Sequence, residues 1–295
     1  MKELLKVHGV KKYFKVKGNN LLKAVDDVSF SVNEAQIFGL VGESGCGKST
    51  LARLILRLME PTGGEIFFDN IDVINARGKA LSGIRKSLQI VFQDPLAALN
   101  PRRRVIDAVG EALLINKIAR RKELKDRVVY LLQRVGLDAD ALYKYPHEFS
   151  GGQRQRICIA RALSVNPKLI VADEPLSALD VSIQAQILNL LDELQRSSNL
   201  AYILITHNLH VIEHFSDVVA VMYLGKIVEM SGTEGLFQKP FHPYTEALLS
   251  AMPEPEIDKK SRRIILEGDV PSPVYIPAGC PFHPRCHKRF EPCDT

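Results

Sequence analysis

The sequence predicts an α/β fold: a largely parallel sheet covered by helices, a helical insertion within it, and a small proline- and cysteine-rich appendage after it. Three observations carry this prediction. Strand-sized apolar runs alternate with helix-period segments on both sides of the insertion, the pattern of a parallel sheet. The stretch from about Arg103 to Gly152 reads mostly as helix. A glycine-rich turn, residues 42–49, stands between a short strand and a helix. A length of 295 residues corresponds to about two domains at roughly 150 residues each. With 46% hydrophobic and 25% charged residues, the composition excludes a disordered or collagen-like chain.

Each element follows from its residues. Positions 28–32 alternate in polarity and 36–41 form a short buried-strand candidate. Helical character resumes at Thr50 and runs to Met59. In the insertion, Val105, Ala108, Val109, Ala112 and Leu113 recur at helix spacing, and so do Leu124, Val128, Leu131, Leu132 and Val135, which Gly136 ends. Residues 169–172 read as a strand. Ile183, Ile187, Leu190, Leu191 and Leu194 line one helix face, and strands follow at 201–205 and 218–222. From Met252 onward Pro253, Pro255, Pro271, Pro273, Pro277, Pro281, Pro284 and Pro292 crowd a stretch with little periodicity. It reads as an appendage without a core of its own. There is no internal repeat.

Lys and Arg number 39 against 34 Asp and Glu, a net charge of +5. Much of the excess sits in short runs: Arg102-Arg103-Arg104, Arg120-Arg121-Lys122, and Lys259-Lys260 with Arg262-Arg263. These read first as solvated surface; an anionic lipid surface or a polyanionic ligand is the functional alternative. No apolar run has the length needed to cross a bilayer. The first fourteen residues carry scattered charges and no apolar signal region. An intracellular protein is expected, with any membrane role arising through a partner. Five cysteines, an odd number, argue against a disulfide framework.

Gly42, Glu43, Ser44, Gly45, Cys46, Gly47, Lys48 and Ser49 match G-x-x-x-x-G-K-[ST] in full. The strand before and the helix after supply the context that motif needs. Its glycines turn backbone N–H groups inward around a β-phosphate, and the helix N-terminus adds unpaired donors and partial positive charge. Lys48 is expected on the β/γ oxygens and Ser49 on Mg²⁺. Cys46 is read as a small residue, not a nucleophile. Farther on, four apolar residues, 169–172, run into Asp173 and Glu174. A buried strand ending in acids delivers them to the sheet edge where ligands of open α/β sheets bind. Alone such an end is an ordinary cap; beside the phosphate loop, Asp173 reads as part of the Mg²⁺ shell and Glu174 as the general base. Ser150, Gly151, Gly152 and Gln153 precede a second helical run. They fit either a capped helix or a second phosphate cradle.

At this point the chain resembles the ABC-type ATPases. Ser150 to Gln153 resemble their signature, with Phe149 where Leu is commoner and expected to pack. Gln93 resembles the Q-loop residue, Ser177 to Asp180 the D-loop, and His207 the switch histidine. Tyr13 resembles the aromatic that stacks on adenine, with Phe14 beside it as the other candidate. The resemblance implies a P-loop NTPase core of ABC-ATPase type with antiparallel β and helical subdomains. It implies ATP bound over Tyr13 and Gly42 through Thr50, Mg²⁺ at Ser49, Gln93 and Asp173, and hydrolysis by Glu174 with His207 and Gln93. It also implies a head-to-tail dimer in which Ser150, Gly151, Gly152 and Gln153 face the partner's phosphate loop.

The resemblance narrows at Asn100-Pro-Arg, Tyr145-Pro-His-Glu-Phe-Ser, His242-Pro-Tyr-Thr-Glu-Ala, Gly268-Asp-Val-Pro and Gly279-Cys-Pro-Phe-His-Pro-Arg-Cys286. Together these are similar to ATPase subunits of bacterial oligopeptide/dipeptide importers, nearer the F-type of the two sister ATPases. The implied division is a nucleotide-binding domain over 1–251, its helical subdomain at about 95–165, and an importer-type appendage over 252–295. The implied function is ATP-powered import of short peptides from the cytoplasmic face of the membrane. Implied partners are a sister ATPase, two transmembrane permeases and, indirectly, an extracytoplasmic binding protein, with no nucleic acid. Import of nickel or another small solute, or a soluble ABC ATPase, is the alternative. Finally, Cys280, Cys286 and Cys293 lie close together on the appendage. The resemblance implies that a [4Fe–4S] cluster, which some relatives can carry at such cysteines and which usually takes four thiolates, is one reading. His283 or His287 as substitute would suit zinc better, and free thiols are the remaining reading.

Overall fold

Two thirteen-residue strands open the chain, β1 (Glu3–Lys15) and β2 (Leu21–Asn33). Leu4, Leu5, Val7 and Val10 on the one and Val25, Val28 and Val32 on the other are sealed from solvent. The computed structural model describes residues 2–177, 179–252 and 263–295. β3 (Ile37–Val41), α1 (Lys48–Ile55), β4 (Gly63–Phe68) and β5 (Ile71–Asp72) come next, then α2 (Gly78–Ser87) and β6 (Leu88–Val91). The helical middle holds α3 (Pro95–Ala98), α4 (Val105–Ile115), α5 (Leu124–Arg134) and α6 (Gly151–Leu163). β7 (Leu169–Asp173), α7 (Val181–Ser198), β8 (Ala201–Ile205) and α8 (Leu209–Phe215) restore the alternation. β9 (Val218–Tyr223), β10 (Lys226–Gly232), α9 (Thr233–Gln238) and α10 (Pro243–Ser250) follow.

The chain divides into two units. One comprises Glu3–Val32, Ile37–Asn75 and Thr206–Thr295. In it β1 lies between β2 and β4, with β5 on the far side of β4. β1 and β4 run antiparallel, Leu5 opposite Phe68 and Val7 opposite Ile66, so the apolar sets of both strands share one face. β3 runs parallel to β9, which turns back antiparallel into β10. Every residue of β3 is buried, which explains its unbroken apolar run.

The other unit comprises Asn33–Gln36 and Ala76–Ile205, with Lys2. Its β6, β7 and β8 are parallel neighbours, Leu88 opposite Leu169 and Ile170 opposite Tyr202. α4, α5 and α6 pack on one another, and Val109, Leu113, Val128, Leu132 and Ile157 of these helices are buried. α7 buries Ile187, Leu190, Leu191 and Leu194, four of the five residues of the expected stripe.

Most expected elements appear, with shifted ends. The helix expected over 50–59 starts at Lys48 and stops at Ile55, because Arg57 takes a left-handed φ of 49°. The insertion is less regular than its periodicity predicts: 3-10 turns at Arg121–Glu123, Ala139–Tyr143 and Pro146–Glu148 punctuate it. Pro253, Pro255 and the basic run Lys259, Lys260 and Arg262 lie outside the described residues, as does Ala178 of the D-loop. Among the described residues, no helix is long and apolar enough to cross a membrane.

Candidate functional site

The glycine-rich turn lies in the first unit, where the fully buried β3 delivers it to the start of α1. Gly47, the residue before the helix, has φ 111°. A Cβ there would come within 2.1 Å of the Ala24 carbonyl. Only glycine satisfies both demands. Lys48 is 6% exposed, and its Nζ donates to the carbonyls of Gly42 at 2.7 Å and Glu43 at 2.9 Å. The ammonium therefore sits against the concave backbone of the turn. Ser44 and Gly45 are exposed, and Ser49 and Thr50 are half-buried. Cys46 is 6% exposed, and burial pushes its thiol pKa up despite the neighbouring Lys48. A buried thiol with little thiolate is a poor nucleophile, which is compatible with Cys46 as a small space-filling residue.

The same unit carries Tyr13 and His207. Tyr13 is half-buried; its hydroxyl donates to Asp26, and Lys23 Nζ lies 5.6 Å from its ring centre. Burial first, and the Asp26 bond second, raise its pKa to about 12. Phe14 likewise has Lys12 Nζ at 5.2 Å. His207 is exposed, between buried Thr206 and Asn208, which caps α8 by accepting from the His210 N–H at 3.1 Å.

The second unit brings Gln93 and Glu174 together: Gln93 Nε2 donates to Glu174 Oε2 at 2.8 Å. The two are 81 residues apart in sequence. Parallel pairing of β6 and β7 sends both toward the same sheet edge. Asp173, 9% exposed, ends β7. Glu174 leaves the strand with φ 46°, strained for a residue with a side chain. Its N–H bonds to the Ile205 carbonyl at 2.9 Å, and its own carbonyl accepts from Ser177 Oγ at 3.1 Å. The turn is thus fixed on both sides. Asp180 caps α7, accepting from the Ile183 N–H at 3.0 Å and Ser182 Oγ at 2.8 Å. Those bonds, the backbone one foremost, hold its carboxyl below the usual range.

Ser150 begins α6 with a reciprocal cap. Its Oγ accepts from the Gln153 N–H at 3.3 Å, while Gln153 Oε1 accepts from the Ser150 N–H at 3.0 Å. Both Ser150 and Gln153 are exposed. Phe149 is 6% exposed and packs, as expected. Gly152 has a reason the sequence conceals: a Cβ there would strike Ile183 Cγ2 of α7 at 2.5 Å.

A turn that wraps a buried lysine, an acid pair at a sheet edge and a glycine-bearing helix start suit phosphate chemistry, and comparison with known proteins agrees. Residues 25–177 match the sequence model of the ABC transporter family. The chain belongs to that family. This cassette is an ATPase with a P-loop fold of the ABC type. Residues 228–293 match a second model, the oligopeptide/dipeptide transporter C-terminal region. The cassette is 49% identical to the oligopeptide transport ATP-binding protein AppF of Bacillus subtilis (strain 168), over 96% of its own length and 89% of the relative's. It is 47% identical to the dipeptide transport ATP-binding protein DppF of Haemophilus influenzae, over 98% and 90%. Among solved structures it resembles the dimeric post-hydrolysis state of the ATP-binding cassette MJ0796 bound to ADP and Pi, with TM-score 0.71 and 29% identity. That match covers 78% of this chain and 99% of the other.

The tail of the cassette corrects one expectation. Among the described residues, no three His, Cys, Asp or Glu side chains converge as a metal set. Cys280, Cys286 and Cys293 are half-buried free thiols. Cys280 and Cys293 meet through backbone, N–H to carbonyl at 2.9 Å. His283 Nδ1 lies 2.9 Å from the Cys280 carbonyl oxygen, and His287 Nε2 lies 3.4 Å from Glu246. The residues do not fit a [4Fe–4S] cluster or a zinc ion: close spacing in sequence does not aim the sulfurs at one point. What sequence reading missed is Phe282. It is 1% exposed, against Tyr223 at 5.3 Å, Tyr244 at 5.4 Å and His242 at 5.7 Å between ring centres. A lone aromatic in a proline-rich run carries no periodicity to announce burial.

Proposed function

We propose that this cassette binds and hydrolyses ATP to power import of di- and oligopeptides through two membrane permeases. It would work on the cytoplasmic face beside a sister ATPase, with an extracytoplasmic binding protein delivering cargo. One observation carries the reading: a single polypeptide joins the ABC transporter match at 25–177 to the oligopeptide/dipeptide C-terminal match at 228–293. Relatives similar over nearly the whole chain carry peptide-transport names.

In this reading residues 1–251 form the nucleotide-binding domain, with a helical subdomain at about 95–165, and 252–295 form the appendage. Gly42 to Thr50 hold the triphosphate, with Lys48 exchanging loop carbonyls for phosphate oxygens. Tyr13 stacks on the base. Mg²⁺ takes oxygen donors, and the Ser49 hydroxyl, the Gln93 amide oxygen and the Asp173 carboxylate are of that kind; when bound, the ion offsets charge on the β- and γ-phosphates. Glu174, oriented by Gln93, takes the proton of the attacking water. His207 contacts the γ-phosphate. Ser150, Gly151, Gly152 and Gln153, with Ser177 and Asp180, act across a dimer on ATP held by the partner.

Purification of the complex from membranes, then reconstitution and uptake of a labelled dipeptide, tests this. ATP-dependent uptake is expected, and Glu174→Gln should lower hydrolysis by roughly 10²–10⁴-fold with MgATP binding retained. Uptake of nickel in place of dipeptide, or steady hydrolysis in the variant, overturns it.

A further inference from the structure

Glu43, second in the glycine-rich turn, has every polar part held. Its N–H donates to the Tyr244 hydroxyl at 3.0 Å, and its carbonyl accepts from Lys48 at 2.9 Å. Its carboxylate accepts two bonds from Arg285, at 2.8 and 3.1 Å. A two-pronged guanidinium contact fixes a carboxylate's orientation as well as its position. The partners are 242 residues apart in sequence. The pair joins the match to the ABC transporter family at 25–177 with the match to the importer-type C-terminal region at 228–293.

Arg285 is presented rigidly. It ends the short turn His283–Arg285, and its N–H bonds to the carbonyl of the buried Phe282 at 3.0 Å. Its side chain is 8% exposed and that of Glu43 is 28% exposed. Glu43 holds the guanidinium firmly charged, against the opposing effect of burial. Within residues 42–50, Glu43 is the sole acid. An unpaired carboxylate there repels a polyphosphate, and a partly buried one left without its partner is costly.

We propose that Arg285 is a positioning residue for ATP: it pins Glu43 and cancels its charge, so the C-terminal region sets the shape and polarity of the phosphate loop. This rests on the reading that residues 42–50 hold the triphosphate.

The test uses the full chain, with MgATP affinity measured by calorimetry and KM and kcat by phosphate release. Wild type should bind, and Lys48→Ala should bind about 100-fold more weakly or worse; a wild type that binds no MgATP overturns the ATP reading itself. Given binding, Arg285→Met should raise Kd and KM about tenfold, a charge-pair-sized loss, with kcat within about twofold. Arg285→Met combined with Glu43→Gln should recover to within about threefold of wild type, because the orphaned carboxylate is gone. A merely structural arginine predicts a double variant no better than the single. Glu43→Asp keeps the charge, shortens the reach, and should weaken binding about threefold even if Arg285→Met fails to fold. MgATP affinity unchanged in Glu43→Asp and Arg285→Met, or absence of recovery in the double variant, overturns the proposal.

Discussion

Two helices of this cassette begin at glycine-rich turns, and they begin in opposite ways. α1 has Gly47 at its cap position with no side-chain cap, and a buried lysine as its first residue. α6 has Ser150 at its cap position, which closes a reciprocal cap with Gln153. Neither first turn contains an acid, so both leave the positive pole of the helix uncompensated by a carboxylate. The difference lies in where the first N–H groups go. α6 satisfies the Gln153 donor with its own side chain and is complete as a folded element. α1 has no such side-chain cap, and its turn is held by close backbone contacts and by Lys48. On the proposed reading the contrast has a physical sense. The turn that holds a nucleotide within its own chain cannot also cap itself. The turn that reaches a nucleotide on a neighbouring chain must first be stable without it.

The strongest way to break this comparison is Lys48→Ala. MgATP affinity of the full chain should fall by about 100-fold or more, a loss on the scale of a charge-assisted phosphate contact; unchanged affinity by calorimetry would remove α1 from the nucleotide site. Next come the glycines. Gly47→Ala forces a Cβ onto a fixed carbonyl at a left-handed φ and should cost about 2–4 kcal/mol in urea unfolding. Gly152→Ala meets the Cγ2 methyl of Ile183, on a side chain stiff at χ1 but not on fixed backbone, and should cost less, about 1–2 kcal/mol. Equal costs would mean that the two turns are constrained alike. Ser150→Ala should cost about 1 kcal/mol, the worth of a cap, and leave single-chain MgATP affinity unaltered. A weakened affinity there would place α6 on the chain's own nucleotide.

The smallest effect concerns thiols. Burial raises the Cys46 pKa, and burial raises that of Cys158 to about 11. A raised thiol pKa means less thiolate at pH 8, so iodoacetamide should label Cys280, Cys286 and Cys293 before either. Mass spectrometry of a labelling time course checks the order; early labelling of Cys46 would show that the loop opens.

Legibility in the sequence tracked contiguity. Gly42 to Ser49 form one unbroken run in which the turn, the lysine and the helix start are all local. The strand that ends in Asp173 and Glu174 is equally local, and so is the α7 stripe. The same logic misled at Cys280, Cys286 and Cys293, where proximity along the chain stood in for convergence of sulfurs that the fold does not produce. It was silent on Phe282, whose burial depends on rings contributed by β9 and α10.

By itself, the sequence determined the phosphate turn, the acid-ended strand and the alternation of a largely parallel fold, because backbone conformation and apolar periodicity are short-range properties. Only the tertiary structure decided that Gln93 bonds to Glu174, that Gly152 must yield to Ile183, and that Arg285 grips Glu43. Each of those joins residues far apart along the chain. Hydrogen bonds and steric contacts act over a few ångströms, so nothing in the linear order announces them until folding has brought the partners together.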